Sequence, residues 1–406
     1  NPDATRDKRL VDLQLHPRFT TRRMEHWSLG VDGRSRQMRD PSGTPVGGSL
    51  GGRLMQRFRD RWTRSSRCPR RMLANWSATF VESIREFCPS ASDQIVVNTG
   101  GDFQMLALAS ALQSLDEDSS LPSLNIHVIF HFAVFDQAIN AKAIRFGDQV
   151  NAMISGSARH RIHLHATTDA LRQQLSDVSV FADAIPYPTR PPVRRNLIPI
   201  RRDPIRIVLA GIPRAEKGRD KIKGLLASIE HTHLRSGQIQ WSMQLRNQGK
   251  QRVIPSSMAD LYSGDQNSSA TSPLDVLHGN LDSDAYHDWL DSADVGLFLY
   301  EPDRYVARCS GVLLEMMIRG VPVIVPDQCW LADQVRLAEQ TAPIGWVYRS
   351  TDEIPGLLDA LTTDFSGVAA NCQRYANTIA RRHSGKNSLL EMGIPPVGQS
   401  GTLVAG

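Results

Sequence analysis

Cysteine is scarce in this sequence, and no motif pairs the cysteines that are present. No CxxC motif occurs, and the twelve histidines form no HExxH motif. The five cysteines are Cys68, Cys88, Cys309, Cys329 and Cys372. An odd number of scattered cysteines argues against a disulfide framework, and the missing spacings argue against a zinc site. We therefore predict a protein of a reducing compartment that binds no metal.

Long apolar runs are missing as well. No stretch approaches the roughly 18 to 20 residues that cross a membrane, and no apolar core follows the charged first residues, as it would in a signal peptide. The sequence therefore predicts a cytoplasmic protein. Because it starts at Asn1 rather than at methionine, secretion stays open.

The chain is long enough for more than one core. Its 406 residues exceed what a single hydrophobic core normally supports. Six prolines and five arginines lie between Pro186 and Pro204, a composition that suits neither a helix nor a central strand. The predicted organisation is a first domain over residues 1–190, a linker over 191–204, a second domain over 205–365, a final helix over 366–383 and a loosely ordered tail over 384–406.

Positive charge is concentrated at the start of the chain. Residues 1–72 carry 17 Lys or Arg against 7 Asp or Glu, although the net charge of the whole chain is only +5. Residues 53–71 intersperse arginines with apolar residues, which predicts a basic amphipathic helix. Such a helix can lie on an anionic membrane surface; a solvated or acid-paired face is the alternative. We expect no nucleic-acid partner, because no recognised module accompanies the charge.

The first half of the chain alternates strands with helices. Apolar runs at Ile95–Asn98, Leu124–Phe132 and Ile162–Ala166 predict strands of a parallel, doubly wound sheet. Asp102 and His131 lie at the C-terminal ends of the first two predicted strands, at the edge where such sheets bind ligands. Asp102 is either a catalytic base or a helix N-cap. His131 is either a base or a hydrogen-bonded core residue.

The second half places one glutamate in an apolar helix between two strands. Val295–Tyr300 and Val321–Pro326 are short apolar runs, as in strands that are covered on both faces. Between them, Ser310–Gly311 predicts the start of a helix that Gly320 ends. Glu315 has leucines and methionines on both sides in the sequence, so we expect it to face a cleft or a ligand hydroxyl. The alternative is the solvent side of the helix.

Basic residues follow another predicted strand, Ile205–Ala210. The loop Gly211–Gly218 leads into a predicted helix whose first turns carry Lys217, Arg219, Lys221 and Lys223. A helix start already presents partial positive charge, so cations there are unfavourable unless an anion compensates. Phosphate binds readily at such positions. We expect a nucleotide diphosphate there, with Arg308 close to it; side chains that extend into solvent are the alternative.

These two segments resemble the donor-binding half of retaining GT-B glycosyltransferases of group 1. Gly211–Gly218 is similar to the glycine loop of that family, which ends in Lys-Gly, and residues 311–324 match its "G-hydrophobic-LLE" helix and "GVPVI" strand. The resemblance implies an α/β protein with two Rossmann-like parallel-sheet domains that face a cleft. The donor would bind in the second domain and the acceptor in the first. The chain departs from the family at Ala307, where a glutamate is usual, and at Ile212, where an arginine is usual.

The resemblance also implies roles for individual residues. Glu315 would hold ribose hydroxyls of a nucleotide-sugar donor, and Gly211 and Gly218 would shape the loop beside it. Without a metal, negative charge on the departing diphosphate needs cations and helix amides; the candidates are Arg214, Lys217, Arg308, Ser310 and Gly311. A retaining reaction needs no dedicated base. An inverting one would need a base from the first domain, for which Asp102 and His131 are the candidates.

We predict a metal-independent, retaining glycosyltransferase that uses a nucleotide-sugar donor and a glycan or lipid-linked acceptor, with no other cofactor. It would be cytoplasmic, with residues 53–71 as a contact to the inner membrane surface. Two alternatives stay open. One is a catalytically degenerate GT-B protein that binds a nucleotide or glycan without turnover, which Ala307 and Ile212 suggest. The other is a phosphorylase or epimerase of the same architecture.

Overall fold

The structure is a computed structural model of the chain. It describes residues 27–29, 35–37, 69–190, 203–245, 253–263, 272–339 and 342–394. The contacts divide the chain into two compact units, Asn1–Ala184 (unit 1) and Ile185–Gly406 (unit 2). Residues 185–190, which the sequence analysis assigns to the first domain, therefore belong to unit 2. Residues 191–202 of the predicted linker lie outside the described residues.

Unit 1 is built on a four-stranded parallel sheet whose strands lie in chain order. The strands are β3 (Gln94–Gly100), β4 (Asn125–Phe130), β5 (Arg161–Ala166) and β6 (Asp183–Ala184). The three strands predicted from apolar runs are thereby confirmed. An antiparallel pair is separate from this sheet and consists of β1 (Trp27–Leu29) and β2 (Ser35–Gln37).

Helices connect the strands of unit 1, and side-chain caps set the start of two of them. The helices are α1 (Pro69–Phe87), α2 (Asp102–Asp116), α3 (Ala141–Ser155) and α4 (Asp169–Ser176). The Asn140 side chain accepts hydrogen bonds from the first amides of α3, and the Thr168 hydroxyl accepts one from Leu171 in α4. These caps satisfy amides that have no acceptor inside the helix.

Unit 2 is built on a seven-stranded parallel sheet in the order β13-β12-β11-β7-β8-β10-β9. Its strands are β7 (Ile205–Leu209), β8 (Ile239–Leu245), β9 (Tyr262–Ser263), β10 (Leu274–His278), β11 (Val295–Leu297), β12 (Val323–Pro326) and β13 (Gly345–Tyr348). The strand order reverses between β7 and β11. Parallel sheets of this kind bind ligands at such a reversal, outside the carboxyl ends of the strands.

Both faces of the unit 2 sheet are covered by apolar cores. Val208 points into one core together with Leu313 and Leu314, while its strand neighbours Ile207 and Leu209 point into the other. Period-2 alternation between two buried faces explains why these strands are apolar throughout. The covering helices are α5 (Ile222–Ile229), α6 (Ser283–Asp291), α7 (Gly311–Ile318), α8 (Trp330–Glu339) and α9 (Ile354–Arg382).

The end of the chain differs from the prediction in two respects. The last long helix, predicted over 366–383, begins at Ile354, because apolar residues repeat at helical spacing from Leu358 to Ile379 and bury one face. The predicted tail from residue 384 is wrong for its first part, since α10 (Gly385–Glu391) follows a cap by Ser384, whose hydroxyl accepts from Asn387. Residues 395–406 lie outside the described residues.

The predicted membrane contact is not tested by the fold. Residues 53–68 of the basic segment lie outside the described residues, and its last three residues begin α1. Among the residues that the structure does describe, none of the helices combines the length and the apolar character needed to cross a bilayer. Contact between the basic segment and a membrane therefore stays a prediction.

Candidate functional site

Two loops meet at the carboxyl ends of β7 and β11, where the strand order reverses. The loop after β7 carries Gly211–Gly218, and the loop after β11 carries Arg308. A backbone hydrogen bond of 3.1 Å joins them, donated by the Glu301 amide to the Glu216 carbonyl. The donor-side residues predicted in two separate segments, about a hundred positions apart, therefore lie in one place.

Two glycines in the first loop have backbone conformations that other residues rarely adopt. Gly211 has φ of +84°, and a Cβ there would lie 3.1 Å from the Lys217 ammonium nitrogen. Gly218 has φ of +70°, and a Cβ there would overlap the Leu299 carbonyl in the neighbouring loop. Glycine is thus required at both positions, for the turn and for the close approach of the two loops.

The basic segment after Gly211 does not form the start of one helix, as the sequence analysis expects. Ala215–Lys217 is a single 3₁₀ turn, Gly218 follows in the left-handed region, and α5 begins only at Ile222. Lys221 forms an ion pair of 2.9 Å with Glu301, and Lys223 is exposed. The prediction that four cations crowd one helix start is therefore wrong, because the left-handed glycine interrupts the helix.

A smaller set of cations does converge on the site. Burial lowers the pKa of Lys217, and the positive charges of Arg214 and Arg308 lower it further, while Tyr305 and Glu216 act in the opposite direction. The Lys217 ammonium lies 5.2 Å from the centroid of the Tyr300 ring. Arg308 lies at the same distance from the Tyr305 ring. Arg214 lies 3.8 Å from the Glu216 carboxylate, which offsets part of the positive charge. An anionic ligand would add to this compensation.

The start of α7 adds further positive character. Ser310 is the N-cap, and its hydroxyl accepts a hydrogen bond of 3.2 Å from the Leu313 amide, as the sequence predicts. Gly311 is the first helical residue, and a Cβ there would lie 3.4 Å from the Tyr187 ring. The positive end of the helix dipole thus lies two residues after Arg308 in the chain.

Glu315 is the half-buried residue in an otherwise buried part of α7. Leu313, Leu314 and Met316 on either side of it are fully buried. Its carboxylate accepts a hydrogen bond of 2.9 Å from the Tyr286 hydroxyl in α6. The alternative interpretation, a glutamate on the solvent side of the helix, does not describe this environment.

The two departures from the family pattern have different surroundings. Ala307 is fully buried, so the chain has no carboxylate at the position where the family has one. Ile212 is half-buried beside Gly211. Arg308 directly follows Ala307, Arg214 is two residues after Ile212, and both arginines influence the pKa of Lys217. The cationic character of the site is therefore kept by neighbouring residues.

An open pocket of about 600 Å³ lies beside the cations. Its lining combines three arginines with three carboxylates and consists of Ala215, Glu216, Arg219, Asp220, Glu301, Arg304 and Arg308. Groups of both signs suit a ligand that combines anionic groups with hydroxyls. Among the described residues, no group of three or more His, Cys, Asp or Glu side chains is placed to hold a metal ion.

Three tyrosines of the site were not predicted from the sequence. Tyr300 and Tyr305 present their rings to Lys217 and Arg308, and burial raises the pKa of each phenol to about 12, so both stay neutral. Tyr286 contacts Glu315. The position of Tyr300 just beyond a buried strand is a signal that could have identified it, since strand ends carry ligand contacts in such sheets.

The two candidates in unit 1 lie at the carboxyl edge of its sheet. Gly101, and not Asp102, is the N-cap of α2, so the N-cap interpretation of Asp102 is wrong. The Asp102 carboxylate accepts from the Phe103 amide at 2.8 Å and lies 3.9 Å from the Lys142 ammonium. The Nε2 atom of His131 donates a hydrogen bond of 2.5 Å to the Asn98 carbonyl oxygen. A catalytic role for either residue stays a prediction.

Comparison with known proteins gives matches to solved structures only. No protein-family model and no curated protein sequence matches the chain. The trehalose-6-phosphate synthase OtsA matches with 12% identity and a TM-score of 0.53, covering 79% of this chain and 75% of that one. HepE from Anabaena, solved with UDP-glucose, matches with 13% identity and a TM-score of 0.51, covering 78% and 80%. A UDP-forming trehalose-phosphate synthase from Burkholderia xenovorans matches with 13% identity and a TM-score of 0.50, covering 79% and 76%.

The chain is thus an α/β protein with two parallel sheets, and the candidate donor-side residues lie at the strand reversal of the second sheet. The solved structures that it resembles are GT-B glycosyltransferases, so its fold is GT-B-like, as predicted. Identities of 12–13% establish the fold and not the activity.

Proposed function

We propose that this protein is a glycosyltransferase that uses a nucleotide-sugar donor bound in unit 2. The observation that supports this most directly is the convergence of Lys217, Arg214 and Arg308 beside the N-terminus of α7. A diphosphate between the two loops would compensate the repulsion among these cations. The same groups would then stabilise the charge that develops as the bond between sugar and diphosphate breaks.

Glu315 has the chemistry to orient the nucleoside. A carboxylate accepts hydrogen bonds and donates none, so it suits neighbouring hydroxyls of a ribose. Its place on α7 puts it five residues after Ser310, one helical turn beyond the start of the helix. We assign Glu315 to donor binding and not to proton transfer.

The reaction would be retaining and independent of metal. The positive charge that the departing diphosphate needs is supplied by side chains and by the α7 amides, so the scheme requires no metal ion. A retaining route requires no dedicated base, because the departing phosphate can accept the proton of the acceptor. Asp102 and His131 stay candidates for an inverting route. The acceptor is a sugar or glycan bound by unit 1.

Donor hydrolysis tests this proposal. The first donor to test is UDP-glucose, with which HepE was solved, followed by other nucleotide sugars and acceptors. We expect slow release of nucleoside diphosphate, reduced about 100-fold in Lys217→Ala, in keeping with the loss of one preorganised charge contact, and reduced also in Glu315→Ala. Lys223→Ala is the matched control, because it removes an exposed cation from the same segment. Turnover that stops with chelator and returns with manganese would contradict the scheme.

The second candidate is a degenerate GT-B protein that binds a nucleotide without turnover. The fully buried Ala307 favours it, because no carboxylate stands at this position. Nucleotide binding by wild type and its loss in Lys217→Ala, with no turnover of any nucleotide sugar, would support this alternative over the enzyme.

A further inference from the structure

We propose that Tyr286 is a positioning residue that holds the Glu315 carboxylate for the ribose of the donor, so that the site selects ribonucleotides over 2′-deoxyribonucleotides. This inference rests on the proposed function and assigns a residue that the sequence analysis did not identify. Tyr286 lies in α6, and Glu315 lies in the neighbouring helix α7.

The contact between the two side chains has the geometry of a directed hydrogen bond. The Tyr286 hydroxyl donates to Oε2 of Glu315 at 2.9 Å. Hydrogen bonds to an ionised acceptor are stronger than those between neutral groups. A carboxylate has about four acceptor positions, so it can accept from a tyrosine and still accept from ligand hydroxyls. Tyr286 therefore fixes the orientation of the carboxylate and leaves it able to bind a ligand.

Tyr286 is suited to act as a permanent donor. Burial raises the pKa of its phenol well above the ordinary value, and the negative charge of Glu315 raises it further. The phenol thus keeps its proton at any physiological pH. Its ring lies 6.3 Å from the Trp289 ring, in an edge-on arrangement, and the Trp289 indole donates a hydrogen bond of 2.8 Å to the Ser242 hydroxyl. The ring is therefore anchored to the sheet through Trp289.

Arg319, at the end of α7, connects the Glu315 backbone to helix α6, the helix that also carries Tyr286. Arg319 donates to the Glu315 carbonyl at 2.8 Å and to the Asp291 carboxylate of α6 at 2.6 Å. The His287 ring of α6 is 2.9 Å from the same guanidinium. Helix α6 is itself capped by Asp282, whose side chain accepts from the Ala285 amide. With the backbone fixed in this way, the hydrogen bond from Tyr286 helps to order the Glu315 side-chain torsions.

An ordered carboxylate discriminates more strongly than a mobile one. A site built to accept from two neighbouring hydroxyls leaves its acceptor unsatisfied when one hydroxyl is missing. A mobile glutamate can rotate to another hydrogen-bond partner, so it loses less binding free energy when one hydroxyl is missing. The preference for ribose should therefore depend on Tyr286, even though Tyr286 itself need not contact the ligand.

The test compares the affinities of UDP with 2′-deoxy-UDP, and of ADP with 2′-deoxy-ADP, by isothermal titration calorimetry. For the pair that binds, we expect wild type to favour the ribonucleotide by about tenfold or more, which corresponds to about 1.4 kcal/mol. In Tyr286→Phe this preference should fall by about threefold or more, while the affinity for inorganic pyrophosphate stays the same. Tyr348→Phe is the matched control. It removes a buried tyrosine hydroxyl that donates to the Phe298 carbonyl at 2.8 Å, and it should leave the ribose preference unchanged.

A second variant distinguishes positioning from a general structural effect. Glu315→Gln keeps the shape of the side chain and removes its charge, so it should also lower the ribose preference. Tyr286→Phe combined with Glu315→Gln should then cause no further loss, because both changes act on one contact. An unchanged preference in Tyr286→Phe, or additive effects in the double variant, would overturn the role of Tyr286 alone. Failure of wild type to bind any of the nucleotides would overturn the proposed function and this inference with it.

Discussion

Replacing Lys217 with methionine should separate stability from ligand binding. Lys217 lies 5.2 Å from the Tyr300 ring centroid, and its pKa is lowered by burial and by Arg214 and Arg308. A folded-state pKa below the unfolded value means that the charged ammonium opposes folding. This cost is present below the folded-state pKa and is relieved as the pH rises through that pKa. Methionine keeps the aliphatic part of the side chain and removes the charge.

Two opposing terms set the expected size of the effect on stability. Removing the charge relieves the repulsion and the desolvation cost. This gain in stability is about 1.4 kcal/mol for each unit by which folding lowers the pKa of Lys217. It also removes a cation–π contact that is worth about 0.5–2 kcal/mol. The free energy of unfolding of the ligand-free protein should therefore stay the same or rise. Binding should weaken, because a charge-assisted contact worth about 1.5–3 kcal/mol is lost, which corresponds to about 10- to 100-fold in Kd.

The assay is thermal unfolding of wild type, Lys217→Met and the exposed control Lys223→Met, each with and without UDP. Wild type and the control should gain about 2.7 kcal/mol of stability at 100 times the wild-type Kd. Lys217→Met should unfold at the same or a higher temperature without ligand and gain much less with it. A Lys217→Met protein that binds as tightly as wild type would refute the reasoning. So would one that loses stability without ligand.

Three further predictions concern stability. Gly218→Ala should lower the free energy of unfolding, measured in urea, by about 1–3 kcal/mol, because it places a side chain at φ of +70° against the Leu299 carbonyl. An unchanged free energy of unfolding would contradict the close packing of the two loops. Burial lowers the pKa of both His127 and His165 to about 4, from 6.5. The unfolded chain then binds more protons than the folded chain between these pH values. Stability should therefore be full above about pH 6.5 and should fall towards pH 4 by on the order of 3 kcal/mol for each histidine, and a double His→Gln variant should show a smaller fall. Arg206→Leu should lower the free energy of unfolding, measured by thermal unfolding, by about 1–3 kcal/mol, since it leaves the Asp275 carboxylate without its guanidinium partner. An unchanged melting temperature would show that the ion pair contributes nothing to stability.

The strands and helix starts of the second half could be predicted because short-range patterns determine them. Apolar runs bounded by turn residues identify β7, β11 and β12. Ser310 has the residue type of an N-cap, and Gly320, at φ of +70°, ends α7 as predicted. Glu315 could be selected because a charged residue among buried ones is uncommon. In each case the signal lies within a few residues of the feature that it predicts.

The details of the site could not be predicted because they depend on contacts between distant segments. The 3₁₀ turn at Ala215–Lys217 exists because Gly218 packs against Leu299, about eighty residues later. The pair of Tyr286 with Glu315 joins two helices. The sequence pattern alone therefore overestimated the number of cations at the site and missed the tyrosines that surround them.

The domain boundary was missed for a similar reason. Thr189 donates its amide hydrogen to the His383 carbonyl, and the Ser388 hydroxyl donates to the Pro186 carbonyl, so residues 185–190 attach to the end of the chain. These partners lie about two hundred residues away in the chain, and a proline-rich composition carries no information about them. Contacts assign residues 185–190 to unit 2, and residues 191–202 of the predicted linker lie outside the described residues, so the linker itself stays a prediction.

The most direct test of the account is calorimetric titration of wild type with uridine, UMP and UDP, repeated with adenosine, AMP and ADP. If Lys217, Arg214 and Arg308 converge to bind a diphosphate, one diphosphate should bind at least about 100-fold more tightly than its nucleoside. This difference should shrink when salt screens the charges. Equal affinity for nucleoside and nucleoside diphosphate, or no binding of either series, would contradict the central claim.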